Sequence, residues 1–495
     1  MLCLQQLQYG SNQKDQHGCQ NIPAFDYYMA QGVLKTFKKQ FRQTVYDYLE
    51  FTDFIGFIAI NGISREIDKI SSIEFDISIF DSYLRESDNL KRLFRIAYEK
   101  AIKKTGKIVY EAMEGFIHNL NTMNLGLGKT PAVTSINLGT DTSKEGRMVI
   151  EKYLLALGKG IGNGEAPVFP KTIFKLKEGI NLKIEDKNYD LFKLACKVAA
   201  KRPGCILFSF LDSSYNKKYY EAGIYNTEAT YMGCRTRILE SNVDDNKPIV
   251  EGRGMLSATS INLPRLGIKH GIINNQKVDL SGFFVELEEK LELIKDELLE
   301  RLEIQCNKNA ENFPFLIGQE VWIDSEKAKL AGKLRRAYKH GTLGIGFIGL
   351  AECLKALTGK HHGESEEAEK LGLKIIKIMK EKIDEYSEKY NLNFVLLATP
   401  KDGFAKELIA MDKAIYGKIK GVTDVESYTD SFHIPLNYKS TVEQKIKVEA
   451  PYHKLTNGGH ILNINLPEQK LQNEETLEKT IRLMKDNDIG LAVIK

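Results

Sequence analysis

The apolar positions of this chain follow two periods. Tyr28, Val33, Phe37 and Phe41 recur at helical steps between Phe25 and Leu49, and Glu111 to Asn121 reads the same way, so both segments are expected to be helices. Phe284, Leu287, Leu291, Ile294, Leu298 and Leu302 form one apolar face opposite a run of Glu and Lys, as in a helix laid against something larger. A further helix runs to about Leu357. After a polar turn another carries Ala368, Leu371, Ile375, Ile378, Ile383, Tyr386 and Tyr390 on one side, with Ser365 among the candidate caps. Strand signals lie between them: Val168 to Phe174, the apolar run Cys205 to Leu211, the alternating Ser257 to Leu263, Asn393 to Pro400, and the final Ile489 to Lys495. Glu240 to Pro248 is a polar loop, the first 23 residues are irregular, and residues 50 to 90 show no clear period.

Composition narrows the class without naming it. A chain of 495 residues has room for one large catalytic unit, and 42% hydrophobic with 27% charged residues is ordinary for a globular protein. A net charge of +4 gives no reason to expect nucleic acid as a partner. No apolar run approaches the roughly 20 residues that span a bilayer, and no signal pattern opens the chain, so the expectation is a cytosolic, cytoplasmic protein with no membrane association. Seven scattered cysteines with no C-x-x-C argue for reduced thiols and against a cysteine-based zinc site; no metal site is expected.

Several motifs invite chemistry. Gly128-Lys129-Thr130 ends like a phosphate loop, but Met123 stands where that loop needs glycine. Gly344-x-Gly346-x-x-Gly349 matches the dinucleotide fingerprint, yet two helices in succession follow it, against the βαβ unit the fingerprint requires. Neighbours on a helix do not face one site, so His361-His362 reads as a solvated turn, and His433, His453 and His460 read as core or supporting positions. The sharpest signal is Tyr231-Met232-Gly233-Cys234-Arg235-Thr236-Arg237: a cysteine after a glycine that permits a tight turn, with guanidinium groups beside it that would favour a thiolate. The alternative for Cys234 is a small core hydrophobe.

With Gly252-Arg253-Gly254-Met255 and Lys339-His340-Gly341-Thr342-Leu343-Gly344 downstream, this stretch resembles the anaerobic (class III) ribonucleoside-triphosphate reductases of the glycyl radical enzyme family. The resemblance runs from about Cys19 to the last residue. It implies an α/β fold, a ten-stranded α/β barrel with a central finger loop bearing Cys234, as a single catalytic domain over residues 1–495 truncated at both ends relative to the family. It implies that Cys234 carries a thiyl radical that removes the ribose 3′-hydrogen. Cys19 is assigned as a second redox cysteine, although the alignment puts that residue on Gln20 and leaves an incidental loop cysteine as the alternative. The N-T-M loop at Asn121, the Ser135-Ile136-Asn137 segment and the Ala398-Thr399-Pro400 loop with Gly403 imply substrate contacts by Asn121, Ser135, Asn137, Thr399, Pro400 and Gly403. The family pattern has Ser and Arg where Leu125 and Gly126 stand, Asn at Met255, and Gly-Arg at Lys406-Glu407. A ribonucleoside triphosphate substrate is implied, with deoxynucleoside triphosphate or ATP effectors and a homodimer. The cofactor is a glycyl radical, not held within this chain, made by an activase with an iron–sulfur cluster and S-adenosylmethionine. The radical-glycine segment and the ATP-cone lie outside the match, which implies the barrel part of a split enzyme with a separate glycyl-radical fragment, or a degenerate remnant. The alternative function is a non-catalytic nucleotide-binding or dimerising homologue.

Overall fold

The structure, a computed structural model, describes residues 18–49, 57–84, 87–122, 133–271, 277–400 and 404–495. Its longer strands form two sheets. In the first, β1 (Cys19–Ile22), β2 (Val133–Leu138), β3 (Lys171–Leu176) and β4 (Ile206–Phe210) run parallel in that order. In the second, β5 (Met255–Asn262), β6 (Thr342–Ile348) and β7 (Asn393–Ala398) are parallel with β6 in the middle. The first sheet continues past β4 through β9 (Leu491–Ile494), which is antiparallel to β4, to β8 (Leu462–Ile464). Gly459 joins the two sheets by a parallel bridge to Leu397, with Ala398 N donating to Gly459 O at 2.9 Å. The pairing establishes an α/β protein with a six-stranded and a three-stranded sheet.

Strand alternation decides what each sheet shows to either side. On one face of the first sheet Ile136, Leu138, Phe174, Leu176, Phe208 and Phe210 pack on helices Phe25–Leu49, Asp88–Thr122, Lys144–Lys159 and Tyr189–Lys201. On the second sheet Leu343, Ile345 and Phe347 pack on helices Leu280–Cys306, Leu350–Thr358 and Glu366–Tyr390. Each such side chain contributes about 1.5–3 kcal/mol on burial, and a one-residue slip would turn the whole set away from its core, so register is strongly fixed. The opposite face of β1 to β3 consequently carries Cys19, Asn21, Ser135, Asn137, Lys171, Ile173 and Lys175. Ile173 and Leu207 there meet Tyr231, Leu239 and Val250, so the cysteine-bearing segment lies across this inner face.

Some boundaries differ from the pattern reading. The strand expected from Val168 begins at Lys171, because Pro170 has no N–H for the ladder and pairing starts at Lys171 with Ser135. The helix expected from Glu111 starts at Asp88, and residues 50 to 90 contain the helix Phe57–Lys69 and a 3₁₀ turn at Ile77–Tyr83. Ser365 does cap its helix, accepting from Ala368 N at 3.2 Å. His361 and His362 are not in a solvated turn. Both are buried, His361 edge-on to Tyr438 and His362 bonded to Phe432 O at 2.7 Å, and burial holds the His362 imidazole down to about 4, hence neutral. Among the described residues no helix is long and apolar enough to cross a membrane.

Candidate functional site

The cysteine stretch is a hairpin. Thr230 pairs with Ile238 and Tyr231 with Arg237, Met232 N donates to Thr236 O at 2.9 Å, and Arg235 N donates to Met232 O at 2.8 Å. This leaves a three-residue tip, Gly233-Cys234-Arg235, whose third residue falls in the left-handed region, as such loops require; Arg235 has φ 73°. A residue with a Cβ is strained there by about 1–2 kcal/mol. Two hydrogen bonds at 3.1 Å from the Arg235 guanidinium to Asp430 Oδ2, both side chains largely buried, offset that cost.

The tip is fastened on both sides. Gly233 N donates to Ser135 Oγ at 2.7 Å, and a Cβ on Gly233 would lie 2.5 Å from Lys171 Cβ, so only glycine lets the loop approach β3. Asn137, fully buried, accepts from Tyr231 N at 3.1 Å and donates to Tyr231 O at 3.0 Å and Asn21 Oδ1 at 3.0 Å. On the other side Thr236 bridges to Gly459, the residue that joins the two sheets. The hairpin thus spans from the inner face of the first sheet to the seam with the second.

At the tip Cys234 Sγ lies 3.4 Å from Thr236 Oγ1, and Cys19 is the neighbour that most perturbs its titration. Neither sulfur is in a disulfide. Cys234 is exposed, although the protein around it desolvates the sulfur. The hydrogen bond from Cys19, then those from Thr236 and backbone N–H groups, pull the Cys234 thiol down to about 6 against the upward push of burial. Cys19 moves the other way, raised by its bond to Cys234, by burial and by the Cys234 charge. The thiolate is therefore supported by a neighbouring thiol and hydroxyl. The arginines expected to do so are committed elsewhere: Arg235 to Asp430, and buried Arg237 to Asn216 Oδ1 at 2.8 Å, Glu240 at 2.9 Å and Tyr215 O at 2.9 Å.

Cys19 lies in β1, not in a loop, on the face shared by Asn21; Gln20 alternates to the other. Cys19 also lines a cavity of about 730 Å³ walled by Met232, Tyr28, Glu251, Arg253 and Trp322. Tyr28 donates its hydroxyl hydrogen to Glu251 there.

The other expected site residues divide into two groups. Ser135 and Asn137 stand directly under the hairpin, as above. Asn121 is spent on the chain around Phe169, donating to Phe169 O at 2.6 Å and accepting from Val168 N at 2.7 Å. Thr399 and Pro400 follow β7 at its C-terminal end, where Thr399 Oγ1 meets Ser260 Oγ at 2.7 Å. Gly403, like Leu125 and Gly126, lies outside the described residues. Helix Phe404–Tyr416 then begins with Glu407 in its first turn. Gly344 and Gly346 of the apparent dinucleotide fingerprint lie in β6 itself, where a Cβ on Gly344 would meet Met255 Sδ at 3.2 Å and one on Gly346 would strike Thr399 Oγ1. They keep the inner face clear and make no turn for a pyrophosphate.

His433, His453 and His460 are buried below the hairpin. His433 bonds Glu449 at 2.7 Å, and His460 bonds the hydroxyls of Tyr231 at 3.2 Å and Tyr215 at 3.3 Å. Sequence reasoning passed over Thr236, Asp430 and Asn21. The alternation Cys19/Asn21 with Ser135/Asn137 was the available signal for Asn21; Asp430 gives none.

Comparison with known proteins identifies a family. A family model described as anaerobic ribonucleoside-triphosphate reductase matches residues 3–495. The anaerobic ribonucleoside-triphosphate reductase of enterobacteria phage T4 is 31% identical over 381 residues, 76% of this chain and 59% of that protein. The Salmonella typhimurium protein of the same name is 30% identical over 367 residues, 73% of this chain and 49% of that one. The chain spans about half the length of the curated relatives it matches. Among solved structures, the anaerobic ribonucleotide reductase from Thermotoga maritima with MES in the active site aligns over 93% of this chain and 70% of its own, at 16% identity and a TM-score of 0.55. The same enzyme with dATP bound in the specificity site aligns over 80% and 64%, at 16% identity and a TM-score of 0.55. These likenesses are of fold.

Proposed function

The chain belongs to the anaerobic ribonucleoside-triphosphate reductase family, and from that premise we propose that it houses the thiol chemistry of ribonucleoside triphosphate reduction. The observation that carries this reading is the placement of Cys234, exposed at the tip of a hairpin that Ser135 and Asn137 fasten to the inner face of the first sheet and Gly459 bridges on the other side, with Cys19 on that same inner face. The cofactor implied is a glycyl radical raised by a separate iron–sulfur, S-adenosylmethionine activase, and the chemistry it supplies is hydrogen-atom abstraction from a thiol. A Cys234 thiol that is exposed and free of a disulfide fits that role.

In this reading the two sheets are parts of one ten-stranded barrel and the hairpin is its central finger loop. The Cys234 sulfur takes the ribose 3′-hydrogen, and Cys19 is its redox partner. Ser135 and Asn137 act mainly by fixing the hairpin, since their polar atoms are engaged with the backbone of Gly233 and Tyr231. The substrate phosphates go to the C-terminal end of β7, at Thr399 and Pro400, where the N–H groups opening helix Phe404–Tyr416 favour an anion. Deoxynucleotide effectors, a homodimer and a cytosolic setting that keeps both thiols reduced belong to the same reading.

The test is strictly anaerobic turnover of ribonucleoside triphosphates with an activase and a polypeptide bearing the family's radical glycine. Deoxynucleotide formation and exchange of a labelled 3′-hydrogen are both expected, and both are expected to vanish in Cys234→Ala. Undiminished product from Cys234→Ala, or none from the unaltered chain, would overturn the proposal.

A further inference from the structure

A second polar cavity of about 260 Å³ lies beneath the hairpin, lined by Lys218, Tyr219, Arg253, Lys380, Lys454 and Asn393 together with Arg237, Glu240 and Asp384. It is at the N-terminal ends of β6 and β7, beside Thr342 and Asn393, whereas Thr399 follows the other end of β7. Six residues of strand put roughly 20 Å between the two places.

The charges in this cavity do not cancel. Five cations face two carboxylates. Glu240 is taken by Arg237 at 2.9 Å, and Asp384 by Lys380. Lys218 and Lys454 have no carboxylate within ion-pair distance among the described residues; Lys218 instead sits 4.8 Å from the centre of the Tyr219 ring. Arg253 is the telling group. It is 8% exposed, its Nε donates to Ile249 O at 2.8 Å and its Nη2 to Glu240 O, but its Nη1 has no partner in the protein. A buried guanidinium with an idle donor is costly unless something completes it. Burial accordingly pushes this group down to about 10.

We propose that this cavity binds a phosphate-bearing anion, held by Lys218, Lys454 and Nη1 of Arg253. The volume accommodates a phosphate or diphosphate but falls below the range of pockets that enclose whole drug-sized ligands, so a nucleotide would enter by its phosphate end only. The inference does not rest on the reductase reading: Lys218 and Lys454 lie away from the cavity that Cys19 lines, and only Arg253 borders both.

Titration calorimetry of the full chain with inorganic diphosphate at constant ionic strength tests it. The unaltered chain should bind, and Lys218→Glu/Lys454→Glu should bind at least about tenfold more weakly, the scale of losing charge-assisted contacts. Lys218→Arg/Lys454→Arg should retain binding. Both lysines are exposed, so the fold is expected to tolerate these changes, and unaltered urea unfolding checks that. Displacement of diphosphate by ATP in the unaltered chain would name a nucleotide phosphate as the source, and failure to displace would name free phosphate. Equal affinity of the charge-reversed and unaltered chains, or no binding by the latter, would overturn the site and leave a water on Nη1 as the explanation.

Discussion

Removing the Cys19 thiol should change how Cys234 titrates, and the size of the change follows from the geometry. With its thiol held at about 6, Cys234 is roughly 90% thiolate at pH 7, against about 3% for an ordinary thiol near 8.5, a gain of about thirtyfold. The rate of alkylation does not rise in proportion. A thiolate of lower basicity is a weaker nucleophile, by about tenfold over that interval at a Brønsted slope near 0.45. At pH 7 the two effects nearly cancel, and a single-pH rate is uninformative. The midpoint of the pH–rate profile is the discriminating quantity. Iodoacetamide labelling from pH 4.5 to 10, read by mass spectrometry on the peptide containing Cys234, should give a midpoint near 6 in the unaltered chain. Cys19→Ala deletes the foremost cause of the lowering and leaves only Thr236 and backbone donors against burial, so the midpoint should climb by about two units. Cys19→Ser keeps a donor in place and should restore most of the shift. The same midpoint in all three chains, or an unaltered chain that titrates near 8.5, would refute the assignment of the lowering to Cys19.

Asn137→Ala strands the buried N–H and C=O of Tyr231 and should cost about 2–4 kcal/mol in urea unfolding; a loss under 1 kcal/mol would mean that the hairpin is held elsewhere. Asp430→Ala leaves Arg235 strained and unpaired, whereas Asp430→Ala combined with Arg235→Gly relieves the backbone, so unfolding should show the double variant more stable than Asp430→Ala alone by about 1 kcal/mol. Acid should weaken the fold through the buried histidines. Burial depresses His362 to about 4 and His453 to about 3, so below the unfolded value of about 6.5 the unfolded chain takes up protons that the folded chain refuses. Stability is lost as pH falls from 6.5 towards 4, by about 3 kcal/mol for His362, and His362→Gln should flatten a series of urea midpoints across that window.

The periodic segments were legible because packing follows them: Ser365 caps a helix where the pattern placed one, and the run from Asn393 is a strand. The hairpin around Cys234 could be located from Gly233, because a tight turn leaves a local trace. Which charges serve the thiol could not. Arg235 and Arg237 are neighbours of Cys234 in sequence but are drawn to Asp430 and Glu240, while Cys19 arrives from a distant strand. The glycines of β6 imitate a dinucleotide fingerprint for a related reason: spacing records that side chains are absent and not which surface they leave bare. The two histidines at 361 and 362 looked solvated because polarity in sequence does not reveal an aromatic cage built from Tyr438 and Tyr452.

Gly459 has a consequence for how the Cys234 thiol is kept still. With φ at 137°, Gly459 leaves no room for a side chain, since a Cβ there would strike the Arg235 carbonyl oxygen and lie 2.8 Å from Thr236 Cα, while its backbone bridges Leu397 of β7 on one side and Thr236 on the other. The same residue is thus a rivet for the wall and a stop for the loop. Withdrawing the sulfur would mean unfastening the wall, so the position of the Cys234 thiol inherits the stiffness of the whole architecture.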